Sequence, residues 1–102
     1  MTNNSNSPIL SLVEIKDFNW ILQNIIHIAA HEVEPGEVEE VAFDDDPWIK
    51  RGRGGVRYMF GQTLAGRYLF TVYVLDRKSA AEVVSAREMT QQERRYYQKR
   101  GK

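Results

Sequence analysis

The segment from Gly66 to Arg87, GRYLFTVYVLDRKSAAEVVSAR, predicts two β-strands joined by a short polar turn. Successive side chains of a strand point to opposite faces of a sheet, so the first run has one apolar face and one mixed face. The apolar face holds Tyr68, Phe70, Val72 and Val74, and the mixed face holds Arg67, Leu69, Thr71 and Tyr73. Residues 76–79 form the turn, and the second strand alternates over residues 81–86. The mixed face carries arginines at its ends, so it is the first place to look for function.

The composition indicates one domain with an ordinary core. The chain has 102 residues, of which 42% are hydrophobic, and it contains no cysteine, so neither disulfides nor thiolate metal sites are expected. Residues 1–8 are polar and predict a disordered tail, which leaves residues 9–102 as a single domain. No basic signal-peptide region precedes ILSLV, and no apolar run reaches the roughly 20 residues of a membrane span. We therefore expect a cytoplasmic protein.

The charges are divided unevenly along the chain, although they sum to zero. Residues 1–47 hold ten acids and one base, whereas residues 48–102 hold thirteen bases and four acids. One interpretation is that the two halves neutralise each other across the fold. The other is a basic face for an anion such as RNA, with an acidic face elsewhere. Composition alone does not choose between them.

The remaining segments predict an α+β fold in which an antiparallel sheet of about four strands packs against two N-terminal helices and one C-terminal helix. After a short strand near residues 12–15, apolar residues at three- and four-residue steps predict a helix over residues 19–31 with its stripe on the sheet. A second, short helix starts at Glu34-Pro35 and ends at Phe43. Further strands are expected at residues 48–50 and 56–60. The sequence Thr90-Gln-Gln-Glu93 is a capping box that begins the last helix.

Two short motifs could bind a metal ion or a phosphate group. His27 and His31 are four residues apart on the first helix and face the same way, but no third ligand follows at a useful spacing, so no metal site is predicted. Arg51-Gly-Arg53-Gly-Gly lacks the spacing of a P-loop and is interpreted as a mobile hairpin tip whose arginines can contact phosphate.

A basic and aromatic group is the remaining candidate site. Guanidinium forks match phosphate oxygens, and tyrosine rings stack on unpaired bases. Its members are Arg57, Arg67 and Arg87 in or beside strands, and Arg94, Arg95, Tyr96 and Tyr97 on the last helix. The same residues also fit a plain structural role, with packed tyrosines and solvated arginines.

Four motifs follow one another along the chain. The first is Asn24 with His31-Glu-Val-Glu-Pro-Gly-Glu-Val-Glu-Glu-Val, and the second is Gly66-Arg67-Tyr-Leu-Phe-Thr-Val-Tyr. The third is Val84-Ser-Ala-Arg87, and the fourth is Glu93-Arg94-Arg95-x-Tyr97. In their order and spacing they resemble the BrnT family of type II toxins, which are RelE-like ribonucleases. The corresponding family pattern is similar to K-H-G-V-x-x-E-E-A, G-R-x-L-F-V-V-Y, I-S-A-R and E-R-x-x-Y.

The resemblance implies a RelE-like toxin that cleaves mRNA, arrests growth and needs neither metal nor cofactor. It also implies neutralisation by a ribbon-helix-helix antitoxin, in a hetero-oligomer that binds operator DNA through the antitoxin. Arg67 and Arg87 would stabilise the phosphate, and His31 or Tyr97 would transfer protons. Arg51, Arg53, Arg57, Arg94 and Arg95 are the expected RNA contacts.

Three positions depart from the family pattern by removing positive charge. They are Ala30, Glu82 and Glu88. In addition, Glu32 stands where a glycine would end the first helix with a left-handed residue. These departures favour an alternative, a catalytically inert protein-interaction module with the same fold. A simple RNA-binding domain, whose affinity would fall steeply with salt, is a third hypothesis.

Overall fold

The computed structural model describes residues 14–100, so the predicted tail lies outside the described residues, as does most of the predicted strand at residues 12–15. The helices and strands, in chain order, are β1 (Asp17–Phe18), α1 (Leu22–Ala29), α2 (Pro35–Asp44), β2 (Trp48–Arg51), β3 (Val56–Gln62), β4 (Tyr68–Leu75), β5 (Ala80–Glu88) and α3 (Gln91–Lys99). A single 3₁₀ turn, Arg53–Gly55, joins β2 to β3. The predicted α+β class and the order of its three helices are confirmed. None of the helices in this part of the chain has the length and apolar character needed to cross a membrane.

The five strands form one mixed sheet in the order β1-β5-β4-β3-β2. Strands β2 to β5 make the predicted antiparallel meander, in which each strand pairs with the next one along the chain. The additional strand, β1, is only two residues long and pairs in parallel with β5, with Asp17 opposite Ala80 and Phe18 opposite Ala81. A two-residue strand is too short to show an alternating pattern in the sequence.

The main core lies on the mixed face of β4, not on its apolar face. Leu69, Thr71 and Tyr73 are fully buried there against Ile28 of α1 and Val38 of α2. The mixed face, which the sequence marked as the first place to look for function, is therefore the core face at these three positions. The Tyr73 hydroxyl donates a hydrogen bond to Glu14 Oε1 at 3.2 Å, which satisfies its buried polar group.

The other face of the sheet carries a smaller aromatic cluster beneath α3. Its buried members are Phe60, Met89 and Tyr97, and Trp48, Tyr58, Tyr68 and Phe70 pack around them. The apolar face of β4 therefore packs into this second cluster. The cluster is only partly covered, because α3 alone is too short to cover one face of a five-stranded sheet.

A β-bulge at Val84 changes the direction of the residues that follow it. Val72 pairs with Ser85 but Tyr73 pairs with Val83, so Val84 is the extra residue on β5. Ala86 consequently faces the main core with Val83, while Arg87 turns to the α3 side beside its partner Phe70. The simple alternation predicted for residues 81–86 is wrong after Val83 for this reason.

Helix α1 is shorter than predicted and only partly buried. Ile28 is its one fully buried residue, whereas Ile21 and Ala29 of the predicted stripe are exposed. The helix ends with Glu32 in the left-handed region at a φ of 62°, and the Val33 amide donates to the Ile28 carbonyl at 3.1 Å. This is the geometry for which glycine is the usual residue.

Helices α2 and α3 both begin with a capping box. At α3 the Glu93 amide donates to Thr90 Oγ1 at 3.1 Å, and the Thr90 amide donates to Glu93 Oε1 at 2.9 Å, as predicted. At α2 the reciprocal pair is Glu34 with Glu37, and Pro35 occupies the first turn.

Candidate functional site

A groove runs along one flank of α3, where the helix leaves the end of the sheet. Its inner part has a volume of about 180 Å³ and is lined by Gly66, Arg67, Tyr68, Glu88, Met89 and Arg94. Its outer part has a volume of about 480 Å³ and is lined by Met89, Gln91, Arg94, Arg95 and Gln98. Met89 and Arg94 belong to both parts. We call the whole the α3 groove; it brings together three of the arginines that the sequence singled out.

Arg67 lies at the inner end of the groove between two carboxylates. Its Nη1 donates to both oxygens of Glu37 at 2.8 Å, and its Nε donates to Glu88 Oε2 at 3.0 Å. Nη1 also donates to the Glu32 carbonyl at 2.9 Å. The hydrogen bond that Arg67 donates to Glu37 is the main cause that raises the Arg67 pKa above its ordinary value. Three chain segments therefore fix this guanidinium at the mouth of the groove.

Arg87 is held by α3 on the opposite face of the sheet from Arg67. Its Nη1 and Nη2 donate to the two oxygens of Glu93 at 2.8 and 3.0 Å, and the guanidinium lies 4.6 Å from the centre of the Phe70 ring. This bidentate pairing raises the Arg87 pKa and lowers that of Glu93. The structure thus places Arg67 and Arg87 near the same end of the sheet but on different faces.

Arg94 and Arg95 are the more open cations of the groove. The Arg94 guanidinium stacks 4.1 Å from the centre of the Tyr68 ring, and the Tyr68 hydroxyl accepts a hydrogen bond from Gln98 Nε2 at 3.2 Å. Within residues 14–100, neither arginine has a carboxylate within 4.0 Å. Both side chains are exposed and present their donors to solvent.

The other three predicted RNA contacts lie away from the groove. Arg57 faces the main core side, where its Nε lies 2.7 Å from Glu14 Oε2. Arg51 is the last residue of β2 and Arg53 lies in the β2–β3 connection, both at the far end of β3, roughly 20 Å along the strand from the groove. The pairs Glu14–Arg57 and Glu37–Arg67 join the acidic first half to the basic second half, so the two halves do neutralise each other at these points.

The two candidates for proton transfer have different surroundings. His31 is exposed at the end of α1, with its ring 5.6 Å from that of His27, and it directly precedes Glu32, whose carbonyl binds Arg67. Tyr97 is only 4% exposed, and its hydroxyl donates to Asp45 Oδ2 at 3.5 Å. Burial raises the Tyr97 pKa above its ordinary value.

Sequence reasoning missed the carboxylates that hold the two strand-end arginines. Glu93 had already been explained by the capping box of α3, and Glu37 forms a second capping box that the sequence analysis did not predict. Glu88 was noted only as a departure from a family pattern. Among residues 14–100, no three carboxylate or imidazole groups come together in a way that could hold a metal ion.

The element order, the mixed sheet and the helix across its face define an α+β fold. The structure is similar to the 1.1 Å crystal structure of the Brucella abortus ribonuclease toxin BrnT, with a TM-score of 0.61. The two chains are 14% identical, and the match covers 74% of this chain and 97% of that chain. At this identity the likeness shows the fold. No family model and no curated protein matches the sequence.

Proposed function

We propose that this chain is the toxin of a type II toxin–antitoxin system and cleaves mRNA without a metal ion. The observation that carries the proposal is the α3 groove, in which Arg67, Tyr68 and Arg94 line one cleft. Arginine forks beside an aromatic ring suit a phosphodiester chain with unpaired bases. The similarity to the fold of a ribonuclease toxin supports the same function.

The proposed reaction uses the RNA's own 2′-hydroxyl as nucleophile. Its oxygen bonds to the adjacent phosphorus, the bond from phosphorus to the 5′-oxygen breaks, and the products are a 2′,3′-cyclic phosphate and a 5′-hydroxyl. Arg67 stabilises the charge that develops on the phosphate oxygens, and Arg94 and Arg95 hold the flanking chain. Because Arg87 is on the other face of the sheet, we assign it to a neighbouring phosphate.

We assign proton transfer to His31 rather than to Tyr97. The exposed imidazole of His31 can accept the proton of the 2′-hydroxyl, and a water molecule protonates the 5′-oxygen as it leaves. Tyr97 is buried, and its raised pKa keeps the hydroxyl protonated at neutral pH, so its role in the proposal is to anchor α3. The proposed partner is a ribbon-helix-helix antitoxin in the cytoplasm, which the motif resemblance supports.

One observation favours the second candidate, an inert interaction module. Arg67 and Arg87, the two arginines expected to bind phosphate, already have the carboxylates of Glu37, Glu88 and Glu93 as partners. The phosphates of RNA must displace these carboxylates before either arginine can bind them. A module that only binds a protein partner has no need of free guanidinium groups.

Inducible expression in bacteria distinguishes the two functions. We expect growth arrest with fragmented transcripts for the unaltered chain, and normal growth for Arg67→Ala. Arg53→Ala is the matched control, since Arg53 lies in the β2–β3 connection, and it should arrest growth like the unaltered chain. Normal growth of cells that contain the unaltered, folded protein would reject the toxin and support the interaction module.

A further inference from the structure

A second aromatic and cationic group lies on the other flank of α3, away from the α3 groove. Lys50 Nζ sits 5.2 Å from the centre of the Trp48 ring and 5.0 Å from that of Tyr96, and it donates to the Tyr96 hydroxyl at 3.4 Å. The two rings are 5.1 Å apart and meet at 66°. We call these three residues, Trp48, Lys50 and Tyr96, the Lys50 cluster.

The exposure of Tyr96 distinguishes this cluster from ordinary helix packing. Tyr97, its neighbour on α3, is 4% exposed and already anchors the helix with Phe60 and Met89. Tyr96 is 54% exposed, although a tyrosine ring contributes most to stability when it is buried. A large ring that remains open to solvent, with an ammonium group at its face, is suited to a ligand that has both a π-face and a negative charge.

The strand register connects the Lys50 cluster with Arg87. Trp48 is opposite Phe60, Phe60 is opposite Phe70, and Phe70 is opposite Arg87, so these four residues form one row across the α3 side of the sheet. Three strand spacings separate the ends of the row, roughly 14 Å. The row therefore begins at Trp48, beside the cation of Lys50, and ends at the cation of Arg87, with two phenylalanine rings between them.

We propose that the Lys50 cluster is a subsite for an unpaired nucleobase of single-stranded RNA, in which the base stacks on Tyr96 and Lys50 contacts the adjoining phosphate. The inference rests on the proposed RNA substrate and adds a second point of attachment to it, on the Arg87 side of the sheet. Stacking on an aromatic ring is tolerant of base identity, because every base has a π-face. The subsite therefore anchors the RNA and does not choose its sequence.

Binding of a 2′-O-methylated RNA oligonucleotide tests the subsite without cleavage, since this probe lacks the attacking hydroxyl. We expect Tyr96→Ala to weaken binding by about tenfold or more, the usual effect of losing one base stack, while Tyr96→Phe retains affinity. Lys50→Ala should reduce the slope of log Kd against log salt by about 0.7, the value for one phosphate contact on a single strand. Lys78→Ala, the loss of an exposed lysine in the turn between β4 and β5, is the control and should leave both quantities unchanged.

A 2-aminopurine base in the oligonucleotide supplies a signal that a purely structural tyrosine would not change. Its fluorescence should be quenched by the unaltered protein and by Tyr96→Phe, but not by a folded Tyr96→Ala variant. Equal affinity and quenching for Tyr96→Ala and the unaltered protein would overturn the subsite while leaving cleavage untouched. A protein that binds the probe through Tyr96 yet never cleaves unmodified RNA would instead retain the subsite and reject the ribonuclease. Absence of any binding would overturn both.

Discussion

The guanidinium of Arg87 and the carboxylate of Glu93 face each other with two parallel hydrogen bonds of 2.8 and 3.0 Å. The same carboxylate accepts the Thr90 amide at 2.9 Å, which closes the capping box of α3. A residue proposed to bind phosphate is therefore coupled to the start of the helix that forms the α3 groove. Substitutions of Glu93 should therefore change the stability of the protein and also release the guanidinium of Arg87 from its carboxylate partner.

Replacing Glu93 with glutamine should lower the free energy of unfolding by about 1 kcal/mol. The amide can still accept the Thr90 bond, so the loss comes chiefly from the charge pair with Arg87. The Arg87 side chain is 36% exposed, and solvent screening keeps the effect small. Urea unfolding measures this difference in free energy. Glu82→Gln on β5 removes one negative charge as well and is the control for net charge. A Glu93→Gln protein as stable as the control would show that the pair contributes nothing.

The contribution of this pair should disappear in acid. Arg87 holds the pKa of Glu93 below its ordinary value, so the folded state favours the carboxylate. Such a group contributes its full stability above its unfolded pKa, roughly 4.3, and loses that contribution as pH falls through the lower folded pKa. The difference in unfolding free energy between the unaltered protein and Glu93→Gln should thus be constant from pH 7 to about 5 and shrink below about 4. A difference that grows on acidification would contradict the assignment.

The left-handed residue at the end of α1 provides a stabilising substitution. Glu32 has a φ of 62°, a conformation that costs a residue with a Cβ about 1 kcal/mol relative to glycine. Glu32→Gly should therefore be more stable than Glu32→Ala by about 1 kcal/mol, since both lose the same charge. Thermal unfolding of the two variants side by side makes the comparison. Equal melting temperatures would mean that the turn relaxes and carries no strain.

Local sequence signals predicted the parts of the fold that depend on local contacts. The capping box at Thr90, the turn after Asp76 and the helix that starts at Pro35 are each determined by residues within one or two turns of the chain. The sequence alone did not identify which face of β4 forms the main core, because Thr71 and Tyr73 are polar by type. Their burial depends on α1 and α2, which cover that face, and on a hydroxyl partner at Glu14, 59 residues away from Tyr73.

The candidate site was predicted by residue type but not by arrangement. The order of motifs along the sequence identified Arg67, Arg87, Arg94 and Arg95. It did not show that Arg87 faces α3, which is a consequence of the bulge at Val84. A bulge depends on the pairing register with β4, which alternation within β5 alone does not reveal. The pairing of Arg67 with Glu37 spans 30 residues and likewise has no local signal.

Glu88 should restrain RNA binding through Arg67. Its carboxylate lies 3.0 Å from the guanidinium, but the Glu88 side chain is 62% exposed, so the pair is weak and RNA can displace it. Glu88→Gln should tighten binding of single-stranded RNA by a few-fold, up to roughly the 1 kcal/mol of an exposed pair. Glu82→Gln makes the same change in net charge on the same strand and should have a smaller effect. Equal gains for both variants would mean that only the overall charge matters.

The most direct test of the central claim is cleavage of a defined single-stranded RNA by the purified protein in EDTA, with the product ends identified. We predict fragments that end in 2′,3′-cyclic phosphate and 5′-hydroxyl groups, and a loss of at least about a hundredfold in rate for Arg67→Ala, the scale expected when one stabiliser of transition-state charge is removed. Arg53→Ala should cleave at the unaltered rate. Intact RNA after incubation with the folded, unaltered protein, or full activity in Arg67→Ala, would contradict the account.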